Sequence, residues 1–466
     1  MAEDKNETSP NAGGEQPAQE ITPPAKDEAK EIVKETKKIE ENGEGEKPNE
    51  NGEEKSTPEP KDMKAIVLNG FGGLKSVKVL KKPEPTLAEG EVLIRVKACG
   101  LNFQDLMARQ GAIDSPPKTP FILGSECAGE IEQVGEGVEN FKVGDRVVAL
   151  PDHKAWAELV AVPATSVFAL PADMSYLDAA AITMNYTVAY ILLFELANLT
   201  PGKSLLLHSA GGGVGQAVVQ LAKTVKDVTI FGVCSKGKHE NLKDTGIDHL
   251  IERGVDYVNE VRKISNEGVD IVLDCLCGQE CNHGYNLLKP MGRYILYGSS
   301  NIVTGETKSI FSAARSWWQV DKVSPIKLFY ENKTISGFNL RHLMYQSGCH
   351  GFVRKAVNQV FQLWKDGKVK PVVDSTWALE DVPEAMQRMH DRKNVGKIVL
   401  DPSQEPKPKP ATPAKSKTKD KKNQNQEEKK AASVDSEENE KKKEPELTNG
   451  TSEDKSDSDS KEKESS

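Results

Sequence analysis

Residues 204–233 read SLLLHSAGGGVGQAVVQLAKTVKDVTIFGV, and they decide the fold. Leu205 to Ser209 have strand length and run directly into Ala210-Gly211-Gly212-Gly213-Val214-Gly215, a glycine turn. Past the turn, Val214, Val218, Leu221 and Ala222 recur at helical spacing. A second strand, Val228 to Val233, follows within about 30 residues, the span of a βαβ unit. Units of this kind bind dinucleotides for a physical reason. Gly212 has no side chain, so the backbone can approach a pyrophosphate. Gly215 lets helix pack closely on strand, and the helix N-terminus offers free N–H groups to the anion. The first glycine of the usual G-x-G-x-x-G pattern is Ala210 here. Strand before, helix after and second strand at the right distance supply the context that a degenerate glycine run lacks.

Downstream the alternation continues. A helix over Lys238–Asp244 closed by Gly246, a strand at His249–Ile251 and a helix over Tyr257–Ser265 closed by Gly268 come first. A strand at Val269–Leu273, a helix over Asn282–Leu288 stopped by Pro290 and a strand at Tyr294–Tyr297 follow. Strands alternating with helices at this spacing predict an α/β fold with a doubly wound parallel sheet, whose ligands sit at the carboxyl ends of the strands. That places Ser209–Gly215, Cys234–Lys238, Asp274–Gly278 and Gly298–Asn301 around one crevice. Upstream, Met63–Leu68, Val77–Leu80, the alternating Val92–Ala98, and the glycine-punctuated run from Gly124 to Leu150 predict a β-rich domain, extended by strands at Trp156–Val162 and Val167–Leu170. After Lys322 come a strand at Thr334–Phe338, a helix over Gly351–Lys365, a helix through Ala385 and Met389, and a last strand at Lys397–Leu400. The most economical topology returns part of this segment to the first domain.

The chain has 466 residues, 29% of them charged, and a net charge of −9, which argues against nucleic acid as a partner. Met1 to Asp62 and Ser403 to Ser466 are rich in Glu, Lys, Pro, Asn and Ser and poor in apolar clusters, so both are expected to be disordered tails. Their Ser residues beside Asp and Glu are candidates for phosphorylation. Seven unevenly placed cysteines fit a reducing compartment rather than a disulfide framework. The first thirty residues are polar throughout, so no secretory leader is expected, and the location expected is cytoplasmic. Ala179–Leu199 is about long enough to span a bilayer, but Thr183, Asn185, Thr187 and Glu195 within it predict a buried helix or two consecutive helices instead. ANLTPGKS, 197–204, nearly fits a phosphate-loop motif but precedes a strand rather than following one, so it has no cradle to form.

GLNFQD (100–105), GSECAG (124–129), VGEGVENFKVGDRV (134–147) and HSAGGGVG (208–215) resemble the zinc-free quinone oxidoreductase branch of the medium-chain dehydrogenase/reductase superfamily. Within that branch, KACGLNFQDLMARQG, DIVLDCLCG, LLKPMGRYILYGSSN and SWWQVDKVSPIKL are similar to the synaptic vesicle membrane, or vesicle amine transport, group. The resemblance covers the ordered region and neither tail. It implies a GroES-like domain over 63–184, a Rossmann cofactor domain over 185–325 and a return to the first domain over 326–402. It also implies a homodimer and peripheral contact with vesicle proteins, or with a vesicle or mitochondrial outer membrane.

Zinc alcohol dehydrogenases place a Cys ligand where this sequence has Asn102 and a His ligand where it has Ser125, and the four-cysteine lobe is missing, so no metal is expected. Cys275, Cys277, Cys281 and His283 form C-x-C-x3-C-x-H, which is not a standard zinc spacing and reads as thiols near the cofactor. The position at which NAD sites carry an acidic residue holds Cys234-Ser235, with Lys236 and Lys238 beyond it, which favours NADPH. The resemblance assigns the 2′-phosphate to Ser235 and Lys238 and puts Arg253 where a Tyr is usual. It carries over Asn102 as an amide facing cofactor and substrate, Thr187 as a neighbour of the nicotinamide, and Gly298 and Ser299 as backbone contacts at the ring, beside the turn residues Ala210, Gly211, Gly212, Gly213, Val214 and Gly215. Met107 and Ile113 stand where bacterial quinone reductases often have tyrosines. Asp105 is a candidate proton donor, against its reading as a helix cap. The expected chemistry is NADPH-dependent, zinc-independent hydride addition to a quinone or enone. The rival is a cofactor-binding adaptor with little turnover.

Overall fold

The computed structural model describes residues 61–303, 320 and 323–408. The tail expectations, and the Trp317-Trp318 part of the quoted motif, lie largely or wholly outside the described residues. Eight strands build the first domain: β1 Asp62–Leu68, β2 Val77–Pro83, β3 Glu91–Leu101, β4 Phe121–Ile122, β5 Cys127–Val134, β6 Arg146–Ala149, β7 Leu159–Pro163 and β8 Val167–Ala169. Six more build the second: β9 Ser204–His208, β10 Thr229–Cys234, β11 His249–Glu252, β12 Val269–Asp274, β13 Leu288–Leu296 and β14 Thr334–Gly337. The chain then returns as β15 Val373–Ala378 and β16 Lys397–Asp401.

The second domain is one parallel sheet in the order β11-β10-β9-β12-β13-β14. β9 lies at its centre and Leu205, Leu206 and Leu207 are fully buried, as a continuous apolar run in a strand covered on both faces requires. The strand order reverses on either side of β9, so the crevice beyond its carboxyl end is the topological switch point. In the first domain β16 joins the sheet β15-β16-β3-β5-β6-β8 and runs antiparallel to β3, pairing Ile398 with Leu101 and Leu400 with Cys99. This register sets Lys397, the residue that opens β16, beside the end of β3 and the Asn102 that follows it.

The apolar segment of the sequence is one long helix whose α-helical part, Tyr176–Tyr190, passes into a π-helical turn, Ile191–Leu196. Over Tyr176–Leu196 it is long and apolar enough to cross a membrane, yet most of it is buried inside the protein. Ala179, Ala180, Ala181 and Ile182 pack with Leu205, Leu207, Val218 and Val357, so this is a core helix shared by both domains, and it crosses residue 185 rather than leaving a linker there.

Two local expectations are corrected. The helix expected over Asn282–Leu288 runs over Gln279–Asn286, and Pro290 does not end it but lies inside β13. The β12–β13 pairing jumps from Val269–Leu288 to Ile271–Arg293, and Met291 takes a left-handed φ of 65°, so Pro290 sits in a bulge where no ladder hydrogen bond is needed. The helix expected over Lys238–Asp244 is a tight turn, Lys236–Lys238, leading into one short helix, His239–Leu242.

Candidate functional site

A cavity of about 870 Å³ opens at the switch point, between the carboxyl ends of the second domain's strands and the β3 end of the first domain. Its wall includes Gly211, Gly212, Gly213, Val214, Gly215, Ser235, Lys238, Arg253, Gly298, Ser299 and Asn102, so the structure brings these sequence-derived candidates together.

The glycine turn is shaped from two sides. A methyl on Gly215 would lie 2.5 Å from the Ser209 carbonyl, and one on Gly213 2.2 Å from Asn185 Nδ2, so these two glycines are demanded by packing. A methyl on Gly212 would meet only Ser209 O, at 3.2 Å, and Gly212 is the N-cap of the helix Gly213–Ala222 with no side chain to occupy its first amides. The open side of Gly212 and that helix end form the cradle an anion fits.

Cations stand next to it. Lys238 Nζ donates to the Asn394 carbonyl, and burial first, then the Arg253 charge, lower its pKa from the usual lysine range. Arg253 donates from Nη2 to Ser209 Oγ at 3.1 Å, while its Nε is buried without a hydrogen-bond partner. Arg392 lies on the same wall, and burial and then Arg253 lower its pKa as well. With Ser235, these three cations make a site that a phosphate dianion relieves of its internal repulsion. Arg392 was not found from sequence. It sits in the turn before β16, and only the return of the chain carries it here.

The opposite end of the cavity is neutral overall. Lys397 Nζ lies 2.5 Å from Glu126 Oε2 and donates to Asn102 Oδ1 at 2.7 Å, and both charged side chains are buried. Asn102 Nδ2 donates to Glu126 Oε2 at 3.2 Å, and the Met184 amide donates to Glu126 Oε1 at 2.7 Å. The pair fills space that Gly100 leaves free, since a methyl there would lie 2.1 Å from Glu126 Oε2. Lys397 and Asn102 both reach the cavity wall. Sequence reasoning missed Lys397 and Glu126. The only signal was a charge of opposite sign in or beside each of two apolar strands.

Three candidates are placed differently. Asp105 is not on the wall. Its Oδ2 accepts the Asn102 amide at 2.8 Å as the reciprocal cap of the helix Phe103–Arg109, and burial pushes its pKa up to about 7 against the pull of that amide and of Lys397. Its helix-cap reading is the one the geometry carries. Thr187 is fully buried, about 100° around its helix from the wall residue Val188. Ala210 is buried under the turn, its carbonyl accepting from Gln216 Nε2 at 2.9 Å.

The residues do not fit a zinc ion. The Asn102 amide is engaged at both ends, Ser125 offers a hydroxyl, and neither replaces a thiolate or an imidazole. Among the described residues no group of three or more His, Cys, Asp or Glu side chains is set to hold a metal ion. Cys275 faces the cavity, Cys281 lies against Asp274, and His283 turns to Gln279 and Glu280.

With this geometry in place, family models for an alcohol dehydrogenase GroES-like domain and a zinc-binding dehydrogenase match residues 88–172 and 245–400. The chain belongs to the medium-chain dehydrogenase/reductase superfamily. It is 57% identical over 345 residues to the synaptic vesicle membrane protein VAT-1 homolog-like of Homo sapiens, covering 74% of this chain and 82% of that one. Among solved structures it is similar to the CurK enoyl reductase, at 28% identity and a TM-score of 0.62 over 73% of this chain and 99% of that one. It is also similar to the Escherichia coli quinone oxidoreductase complexed with NADPH, at 25% identity and a TM-score of 0.62 over 73% of this chain and all of that one.

Proposed function

We propose that this protein binds NADPH and, without zinc, reduces a conjugated carbonyl acceptor of the quinone or enone class. The observation that carries the reading is one cavity joining an anion cradle with three cations at one end to the Asn102–Lys397–Glu126 corner at the other. Gly212 and the helix end would hold the pyrophosphate, and Ser235, Lys238, Arg253 and Arg392 the 2′-phosphate. Gly298, Ser299 and Asn102 would border the nicotinamide. When bound, NADPH supplies a hydride. Lys397 commits two of its three N–H bonds to Asn102 and Glu126, and from the wall it would be the group to give the acceptor's oxygen a proton. No metal is needed, because the conjugated acceptor takes up the electrons itself. Similarity to a quinone oxidoreductase and an enoyl reductase supports the acceptor class.

A second reading, an NADPH-binding adaptor with little turnover, is favoured by Met107 and Ile113, which occupy the cavity wall and have no proton to give. Steady NADPH consumption with a panel of quinones and enones separates the two. Turnover supports the reductase, and tight binding with no turnover on any acceptor supports the adaptor.

The proposal includes a cytoplasmic protein peripheral to a vesicle or mitochondrial outer membrane, since among the described residues the one helix with membrane-spanning length is core. It also includes a homodimer through β14, the terminal strand of its sheet, in which Ile335 is exposed and before which Phe329 and Tyr330 are exposed. Sedimentation of the purified protein as a monomer at micromolar concentration would remove the dimer.

A further inference from the structure

The turn after β12 holds a pair of thiols that the proposed reaction does not use. Cys277 has a left-handed φ of 65° and is followed by Gly278 at 75°, the N-cap of the helix Gln279–Asn286. This bend folds Cys277 back over the first helical turn, where the Cys281 amide donates to Gly278 O at 3.0 Å. The Cys281 thiol donates to Asp274 Oδ2 at 3.7 Å, and Cys277 packs against the apolar cluster in which Cys281 is buried. Cys277 is half-buried and Cys281, four residues on, is buried, so the first is the more accessible of the two. That is the arrangement of an attacking and a resolving cysteine.

The electrostatics agree with the geometry. The Cys281 thiol first, and then the Gly278 amide acting against desolvation, lower the Cys277 pKa from the usual thiol range. Cys281 is pushed up, first by sharing its proton with Cys277 and then by burial. Once Cys277 is no longer a thiolate, the larger of those two causes is gone.

The same turn braces the cavity. Ser300 donates to Cys275 O at 2.9 Å and Asn301 to Leu276 O at 3.2 Å, and Asn301 Nδ2 donates to Cys277 O at 3.1 Å. These bonds fix the loop that presents Gly298 and Ser299 to the cavity.

We propose that Cys277 and Cys281 are a peroxide-sensitive dithiol whose reversible disulfide loosens the 298–301 wall of the cavity. The Cys277 thiolate attacks a peroxide oxygen, the O–O bond breaks, and with one proton taken up the products are Cys277 sulfenic acid and water. The Cys281 sulfur then attacks the sulfenic sulfur, its proton leaves with the hydroxyl as a second water, and the S–S bond forms. Two electrons pass from the thiols to the peroxide. Closing an S–S bond of about 2.05 Å draws Cys277 onto the helix and its carbonyl away from Asn301. The consequence for cofactor affinity rests on the functional reading above, whereas the disulfide and the loosened loop do not.

The test treats the full chain with hydrogen peroxide, alkylates the remaining thiols, and identifies the peptides by mass. Two of the seven cysteines, Cys277 and Cys281, are expected to escape alkylation, to appear as one peptide two hydrogens lighter, and to return with dithiothreitol. Cys281→Ser should trap a dimedone-reactive sulfenic acid at Cys277, and Cys277→Ser should give neither product. Hydrogen exchange at Ser300 and Asn301 should become faster in the oxidised protein and recover on reduction. Both thiols remaining alkylatable after peroxide, in protein whose near-ultraviolet circular dichroism is native, overturns the proposal, as does a disulfide with unchanged exchange at Ser300 and Asn301. A disulfide with loosened exchange in a protein that ignores NADPH upholds this site and sinks the functional reading alone.

Discussion

The two ends of the cavity solve opposite electrostatic problems. At the turn end, Lys238, Arg253 and Arg392 crowd together, and burial and mutual repulsion lower the pKa of Lys238 and of Arg392. At the other end the Lys397 charge is cancelled at 2.5 Å by Glu126 and both side chains are buried. The first arrangement is unfinished without an anion. The second is complete in itself, and what it provides is a fixed orientation of Asn102. A buried pair of this kind adds little net stability, because desolvation offsets the attraction, but breaking it leaves a bare charge in the core.

The largest effect therefore belongs to the neutral end. Lys397→Met should cost about 3–5 kcal/mol in denaturant unfolding by stranding Glu126. The double variant Lys397→Met, Glu126→Leu should recover most of that loss. A single variant as stable as the parent would mean that Glu126 is not held as a buried anion.

The cationic end should respond in binding. Lys238→Glu should weaken NADPH by about 1.5–3 kcal/mol, tenfold to a hundredfold, and spare NADH. Equal loss for both cofactors by fluorescence titration would show that Lys238 does not read the extra phosphate. Gly212→Ala sharpens the contrast further, since its φ of −80° suits alanine and the fold should change by no more than about 1 kcal/mol. Its added methyl projects into the cradle, so NADPH affinity should fall while the melting temperature holds. Loss of both together would make Gly212 a packing residue like Gly215.

The last effect is a slope against pH. The Asp105 pKa is raised from its ordinary value of 3.8 to about 7, so the folded state holds a proton that the unfolded state releases. Its contribution is intact below the unfolded value and is lost as pH rises through that window. Asp105→Asn should flatten this part of the stability-against-pH curve between about 4 and about 7. An unchanged slope would remove the burial argument for Asp105.

The sheet and its turn were legible because their signals are local. β9, the glycine run and β10 lie within residues 204–234, and Ser235 and Lys238 follow at once. Arg253 comes one strand later, at the end of β11. Periodicity and spacing read such stretches directly. Lys397, Glu126 and Arg392 were not legible, because each is a single charge whose meaning depends on β16 returning to pair with β3. A lysine opening the apolar run Ile398–Leu400 reads as surface until the register puts it against Asn102. Asp105 was left open between two roles for the converse reason. Three residues after Asn102 places a carboxylate equally well for capping or for chemistry, and only its burial off the cavity wall decides between them. Pro290 failed as a helix stop because a bulge tolerates it within a strand.

Calorimetric titration of the purified full chain with NADPH and with NADH tests the central claim most directly. One NADPH site per chain is expected, with NADH weaker by at least about tenfold, the worth of a charged hydrogen bond to the 2′-phosphate. No binding of NADPH at millimolar concentration, by heat or by fluorescence, would contradict it and leave neither the reductase nor the adaptor standing.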